Sequence, residues 1–356
     1  MDSTHPRLAR RSVMAVVALV VAACSTGSLA SPPTPSAPPS APGSPASAAA
    51  SLEPIKLTAG LGYIPSVQFA PFYLAQQAGY YAEAGLEVEF QNKIDPDLIT
   101  LVGQGAIDVG IGDGTSVIPA VSQGIPIRYV ATIYGQFPNV VFAKASSGIT
   151  SAADLQGRKV GIPGRYGSGW IMLQALLGSA GLTIDDIEVV EYPDFTQRAA
   201  VAQGAVDLAT GFANNEPVQL ELDGDKTVVL RIDQITPLPG PGLIAGTSTL
   251  ETKRDAIVAF VAATLRAMDE IAADPKIGLE AAIVAVPALA SARDAQLAIL
   301  AATIELWTGS AQRSGGLGAI DRAGWQASVD YLTTLDLVPN PVTVDDLVRD
   351  DLLPAN

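Results

Sequence analysis

The chain has 356 residues, 48% of them hydrophobic and 16% charged, and a formal net charge of −15. That is enough apolar chain for one large core or two ordinary ones, and the acidity excludes nucleic acid and anionic lipid as partners of the folded part. The single cysteine, Cys24, and the single histidine, His5, both fall in the first 24 residues, so the remainder has no imidazole or thiol for acid–base, nucleophilic or zinc chemistry.

Arg7, Arg10 and Arg11 precede an apolar run over 13–21 that ends in Ala22-Ala23-Cys24. A basic start, a short apolar middle and small residues at the end make a secretory signal. The run is too short to cross a bilayer, which takes about 20 residues. A lone cysteine directly after two alanines, without a disulfide partner, points to lipidation of Cys24, with an ordinary signal as the alternative. Arg10-Arg11 leaves twin-arginine export open. Residues 1–23 are thus read as signal peptide and 24–53 as lipidated cysteine and disordered Pro/Ser/Ala tether, a stretch with no apolar period and almost no charge.

From Pro54 the pattern changes. Residues 55–61 alternate and predict a strand, 69–81 have helical spacing, and 86–90 alternate again. A short helix over 98–104, a buried strand over 106–111, a helix opened by Asp113 and a strand over 127–134 follow. A strand over 159–164 and a helix over 168–177 repeat the opening, and 279–302 predicts one Ala/Leu-rich helix before a turn at 315–318. Phe72, Tyr73, Trp307 and Trp325 read as core. Strands alternating with helices predict an α/β fold with a parallel-rich sheet. Gln104-Gly105-Ala106-Ile107-Asp108 recurs as Gln203-Gly204-Ala205-Val206-Asp207, which suggests two related lobes.

Four loops, 62–68, 112–116, 163–168 and 211–216, follow the carboxyl ends of expected parallel strands, where open α/β sheets bind ligands. Several precede helix starts, whose N–H groups favour anions or carbonyl oxygens. The candidate ligand-binding residues are Tyr63, Gln68 and Phe69 around the first loop, Asp113 and Thr115 at the second, and Tyr134 after the fourth strand. Arg165, Tyr166, Ser168 and Trp170 belong to the third, and Phe212, Asn215 and Glu216 to the fourth. Aromatic faces stack on flat heterocycles; amides and a carboxylate read ring N–H and C=O groups. Purely local roles stay open for Asp113, Asn215 and Glu216 as helix cap and first-turn acid, and for Arg165 as a solvated cation instead of an anion clamp. No catalytic residue, metal or cofactor is expected.

The segments GYIPSVQFAPFYLAQQAGYYAEAGLEVE (62–89), GQGAIDVGIGDGTSVIPAVSQGIPI (103–127), ITSAADLQGRKVGIPG (149–164) and GFANNEPVQLE (211–221) resemble the solute-binding lipoproteins of ABC importers in the NMT1/THI5-like group. The resemblance covers about 57–249 well and the C-terminal helices loosely. It implies a two-lobed, type II periplasmic-binding-protein-like α/β fold. Lobe one would comprise 54–143 and 244–356, and lobe two 144–243. Hinge strands would cross near 140–143 and 243–246, the helix 254–273 would rejoin lobe one, and the ligand cleft would lie between the lobes. It also places Asn215 and Glu216 in a ligand-recognition segment. The implied partners are a small-molecule ligand, an ABC permease with its ATPase, and the membrane through a lipid anchor. The protein would be a monomer, anchored on the extracytoplasmic face. An enzyme branch of the group, which makes thiamine pyrimidine, consumes a histidine and uses a cysteine-rich segment, and neither exists here after Cys24. The opening GYIPSVQFAPFY is most similar to riboflavin binders. A thiamine pyrimidine precursor is the next expectation, then an alkanesulfonate or nitrate-type anion, and a sensor-linked lipoprotein stays as a different class.

Overall fold

Alternation decides the first two strands. In β1 (Ile55–Gly60) Leu57 and Ala59 are buried, and in β2 (Leu86–Gln91) Leu86 and Val88 turn inward while Glu87 and Glu89 face solvent. The computed structural model describes residues 53–92 and 97–354; the signal segment, Cys24 and the tether lie outside the described residues. Eight further strands follow: β3 (Val109–Gly112), β4 (Ile127–Thr132), β5 (Asn139–Lys144), β6 (Lys159–Ile162), β7 (Glu188–Glu191), β8 (Leu208–Phe212), β9 (Thr227–Arg231) and β10 (Gly242–Gly246).

They form two five-stranded sheets, ordered β2-β1-β3-β10-β4 and β7-β6-β8-β5-β9. In each, three parallel strands run second-first-third, and the fourth position is taken by a strand that has crossed from the other lobe. That strand is antiparallel to both its neighbours, β10 to β3 and β4, β5 to β8 and β9. The crossings are therefore 133–138 and 232–241. The first lies ahead of the hinge strand expected at 140–143, because β5 is already a central strand of sheet two. The second lies just ahead of 243–246. The two links touch: the N–H groups of Ile133 and Tyr134 both donate to the carbonyl of Pro241.

The sequence echo has a structural cause. Gly105 and Gly204 both adopt left-handed backbone, with φ of 73° and 71°, which ends the preceding helix without a Cβ clash. Three residues on, Asp108 accepts from the Thr58 N–H at 2.9 Å, and Asp207 from the Lys159 N–H at 2.8 Å. Each aspartate thus staples the third strand of its lobe to the first.

Lobe one is closed by the C-terminal helices. The long helix Arg254–Ala273 buries Ile257, Phe260, Val261 and Met268 against the helix Ala70–Gln77, and Tyr81 stacks on Phe260 at 5.0 Å. Trp325 meets Tyr129 edge-on at 4.8 Å on the opposite face of the sheet, and Trp307 is likewise buried. Two expected helices are broken. The 69–81 segment is a single 3-10 turn (Val67–Phe69), a helix to Gln77 and a short helix Tyr80–Glu83, interrupted where Gly79 takes φ of 82°. The 279–302 segment breaks at Val286-Pro287 into helices Pro275–Ala285 and Arg293–Leu306, since proline has no N–H to continue the ladder. No helix among the described residues is long and apolar enough to cross a membrane.

Candidate functional site

All four loops singled out in the sequence follow parallel strands (β1, β3, β6 and β8), and the structure brings them together between the lobes. A cavity of about 180 Å³ is lined by Tyr63 and Gln68 from lobe one, and by Tyr166, Ser168, Trp170, Phe195, Phe212, Asn215 and Glu216 from lobe two. An adjoining cavity of about 210 Å³ shares Tyr63, Gln68 and Phe212 and adds Phe69, Asp113 and Tyr134. Tyr63 meets Phe195 edge-on across the cleft, with centroids 6.0 Å apart. Gly164 makes room for one wall: a Cβ there would fall 2.2 Å from Cε1 of Tyr166.

The polar groups divide by what already occupies them. Gln68 Oε1 accepts from Asn214 Nδ2 at 3.1 Å and from the Tyr134 hydroxyl at 3.5 Å. Glu216 opens the helix Glu216–Leu222, and its Oε2 accepts from the Phe212 N–H at 2.7 Å. Burial pushes its carboxyl pKa up, against the pull of that bond. Tyr63 is raised by burial and then by the charge of Glu216. Asp113 caps the helix Gly114–Ser122 through Ser116 N–H at 3.0 Å and takes the Thr115 hydroxyl at 2.7 Å. Burial raises its pKa too, while the hydroxyl of Ser168 across the cleft is among the groups that favour its charged form.

Thr115 and Arg165 line neither cavity. The Thr115 hydroxyl is committed to Asp113. The Arg165 guanidinium lies 5.3 Å over Trp170 and pairs with Glu191 at 3.1 Å on the surface, outside both cavities. Asn215 lines the cavity but also accepts from Gln219 at 2.7 Å and donates to Glu216 at 3.3 Å. Both local bonds and cavity exposure therefore belong to this turn. Tyr166 is 61% exposed at the cleft mouth.

Sequence reasoning missed several residues here. Asn139, Gln197 and Thr210 line the first cavity and carry no local signal: Asn139 opens β5, Gln197 opens a helix, and Thr210 sits in the middle of β8. Asn214 is fully buried and donates to Gln68 and, at 2.8 Å, to Thr303 on the helix Arg293–Leu306, which ties a C-terminal helix to the cleft residue Gln68. Phe195 holds φ of 60°, a left-handed conformation that costs a non-glycine residue about 1–3 kcal/mol and concentrates at functional sites. No spacing in the sequence announces it.

Comparison with known proteins fits this geometry. The family model described as NMT1/THI5 like matches residues 66–277. The riboflavin-binding protein RibY of Chloroflexus aurantiacus is 32% identical over 304 residues, which span 84% of this chain and 86% of that protein. A 4-amino-5-hydroxymethyl-2-methylpyrimidine phosphate synthase of Legionella pneumophila is 29% identical over 184 residues, 51% of this chain and 57% of its own length. The alkanesulfonate-binding protein SsuA of Xanthomonas axonopodis pv. citri superposes with a TM-score of 0.63 over 85% of this chain and 99% of its own, at 17% identity. A ligand-binding component of an ABC-type import system from Staphylococcus aureus gives 0.62 over 84% and 97%, at 18% identity. Identities this low speak for the fold alone. By sequence and by architecture the chain belongs to the NMT1/THI5-like family and has the two-lobed fold of periplasmic binding proteins.

Proposed function

We propose that this protein is the extracytoplasmic solute-binding component of an ABC importer, and that its lobes close on a flat heteroaromatic ligand, riboflavin in first place. The carrying observation is a cleft walled by Tyr63, Tyr166, Trp170, Phe195 and Phe212, with no lysine or arginine among the residues lining either cavity. Aromatic faces hold a planar ring system at low entropic cost. An alkanesulfonate or nitrate would lie beside the Asp113 and Glu216 carboxyls with no cation on either cavity's own lining, which is unfavourable. Each cavity alone falls below the roughly 300 Å³ at which ligand pockets usually begin, and the two together reach it. A ligand the size of riboflavin would span both; a thiamine pyrimidine precursor would fill one, and it remains the second reading on that account. The name of the RibY relative supports the flavin.

The described residues contain neither histidine nor cysteine, which favours capture over chemistry despite the synthases in the family. In this reading Cys24 is lipidated and holds the protein at the membrane surface beside a permease and its ATPase. Mass spectrometry of the processed N-terminus tests that point; an unmodified or absent Cys24 would remove the anchor. The ligand is tested by titrating riboflavin into the full chain, kept in detergent, with flavin fluorescence and calorimetry as readouts. Saturable one-to-one quenching is expected. A folded protein that ignores riboflavin but binds 4-amino-5-hydroxymethyl-2-methylpyrimidine would transfer the assignment to the pyrimidine.

A further inference from the structure

Three buried amides at the cleft, Asn139, Gln197 and Asn214, have unspent acceptors, and the first two line the first cavity. Asn139 opens β5, in register with Phe212 of β8, and Gln197 opens the helix Gln197–Gln203. They are 4% and 1% exposed, and both line the first cavity, as does Thr210. Their NH2 groups are committed. Asn139 Nδ2 donates to Ser168 Oγ at 2.9 Å, and Gln197 Nε2 to the main-chain oxygen of Thr210 at 3.3 Å. A main-chain carbonyl only accepts, which fixes the orientation of the Gln197 amide and turns its oxygen away from Thr210. The Ser168 hydroxyl favours the charged form of Asp113 as a donor would, so its oxygen is left to accept from Asn139. The consequence is that Asn139 Oδ1 and Gln197 Oε1 receive no hydrogen bond within the protein.

Folded proteins leave few buried polar atoms unpaired, and each such atom calls for a cause. Here both belong to residues on one cavity wall. We propose that Asn139 and Gln197 are specificity-determining acceptors, whose carbonyl oxygens take hydrogen bonds from N–H or O–H donors on the edge of the bound ring. This rests on the cleft being the ligand site argued above. It makes the ligand a donor-bearing heterocycle: an imide N–H, as on the flavin pyrimidine ring, satisfies one of the two oxygens, and a ligand hydroxyl or a second N–H satisfies the other. A sulfonate or a fully N-alkylated ring, offering acceptors or methyl groups only, leaves both oxygens desolvated and unpaired.

The test compares riboflavin with 3-methylriboflavin, in which the imide hydrogen is replaced by a methyl group, by calorimetry on the full chain in detergent. The wild-type protein is expected to bind the methylated flavin at least about tenfold more weakly. In one of the two variants Gln197→Met and Asn139→Leu, with folding checked by circular dichroism, the preference is expected to shrink to about twofold, which marks the acceptor that takes the imide hydrogen. Equal affinity of the wild-type protein for the two flavins overturns the proposal, with no variant needed. An undiminished preference in both folded variants overturns it as well, while leaving the riboflavin reading intact. Absence of any flavin binding by the folded wild-type protein overturns the riboflavin reading and this assignment together.

Discussion

Glu216 shows how one side chain serves both the fold and the cleft. Its carboxylate ties the β8 turn through the Phe212 N–H, and burial raises its pKa. A raised folded-state pKa means that the folded chain holds this proton more tightly than the unfolded one. The group therefore favours folding most below the ordinary glutamate range, and that contribution is lost as pH rises toward the folded value. Glu216→Gln removes the titration while keeping an acceptor for Phe212. Its ligand-free melting temperature, relative to wild type, is expected to climb between pH 4 and pH 8. Parallel melting curves across that range would show that the carboxyl is not perturbed. At this scale the sequence was informative where chemistry clusters locally, as in Asn215-Glu216 or the aromatic third loop. It was silent on Asn139, Gln197 and Thr303, because the neighbours of each at the cleft are distant in the chain. The pairing of Arg165 with Glu191, on the adjacent strand β7, is one that no spacing reveals.

The paired staples carry the argument for elements. Helix, left-handed glycine and aspartate form one unit in each lobe, and the repeat was legible in the sequence although its purpose was not: a five-residue match looks the same whether it binds ligand or backbone. Asp108 is the more buried of the two and also meets Lys253 at 2.9 Å, whereas Asp207 has a longer pairing with Arg158, at 3.6 Å. Asp207→Ala should cost about 1 kcal/mol and Asp108→Ala about 2–3 kcal/mol, since Asp108 is the more buried and holds its charge partner the closer. Urea melts of both variants measure this. A larger loss for Asp207 would mean that the staple matters through local strand pairing and not through burial. Strand positions were readable because alternation and apolar runs report burial directly. The helix breaks at Gly79 and Pro287 were underestimated because amphipathic spacing continues across them.

For the whole molecule, the lobes are held together at the cleft by Asn214, which bridges Gln68 and Thr303. Asn214→Ala leaves Thr303 Oγ1 without its donor and Gln68 Oε1 with only the longer bond from Tyr134. Riboflavin affinity is expected to fall by about tenfold, and solution X-ray scattering of the ligand-free variant should give a larger radius of gyration than the wild type. An unchanged radius with unchanged affinity would show that closure depends on the rings alone.

The position of β10 sets an order of assembly. Sheet two is complete within one continuous stretch, from Asn139 to Arg231. Sheet one is not: its central gap, between β3 and β4, is filled only by residues 242–246. A chain emerging N-terminus first can finish its second lobe while the first still exposes two strands awaiting a partner. The half that is made first is the half that matures last, so it is the one that needs protection until residues 242–246 have been made.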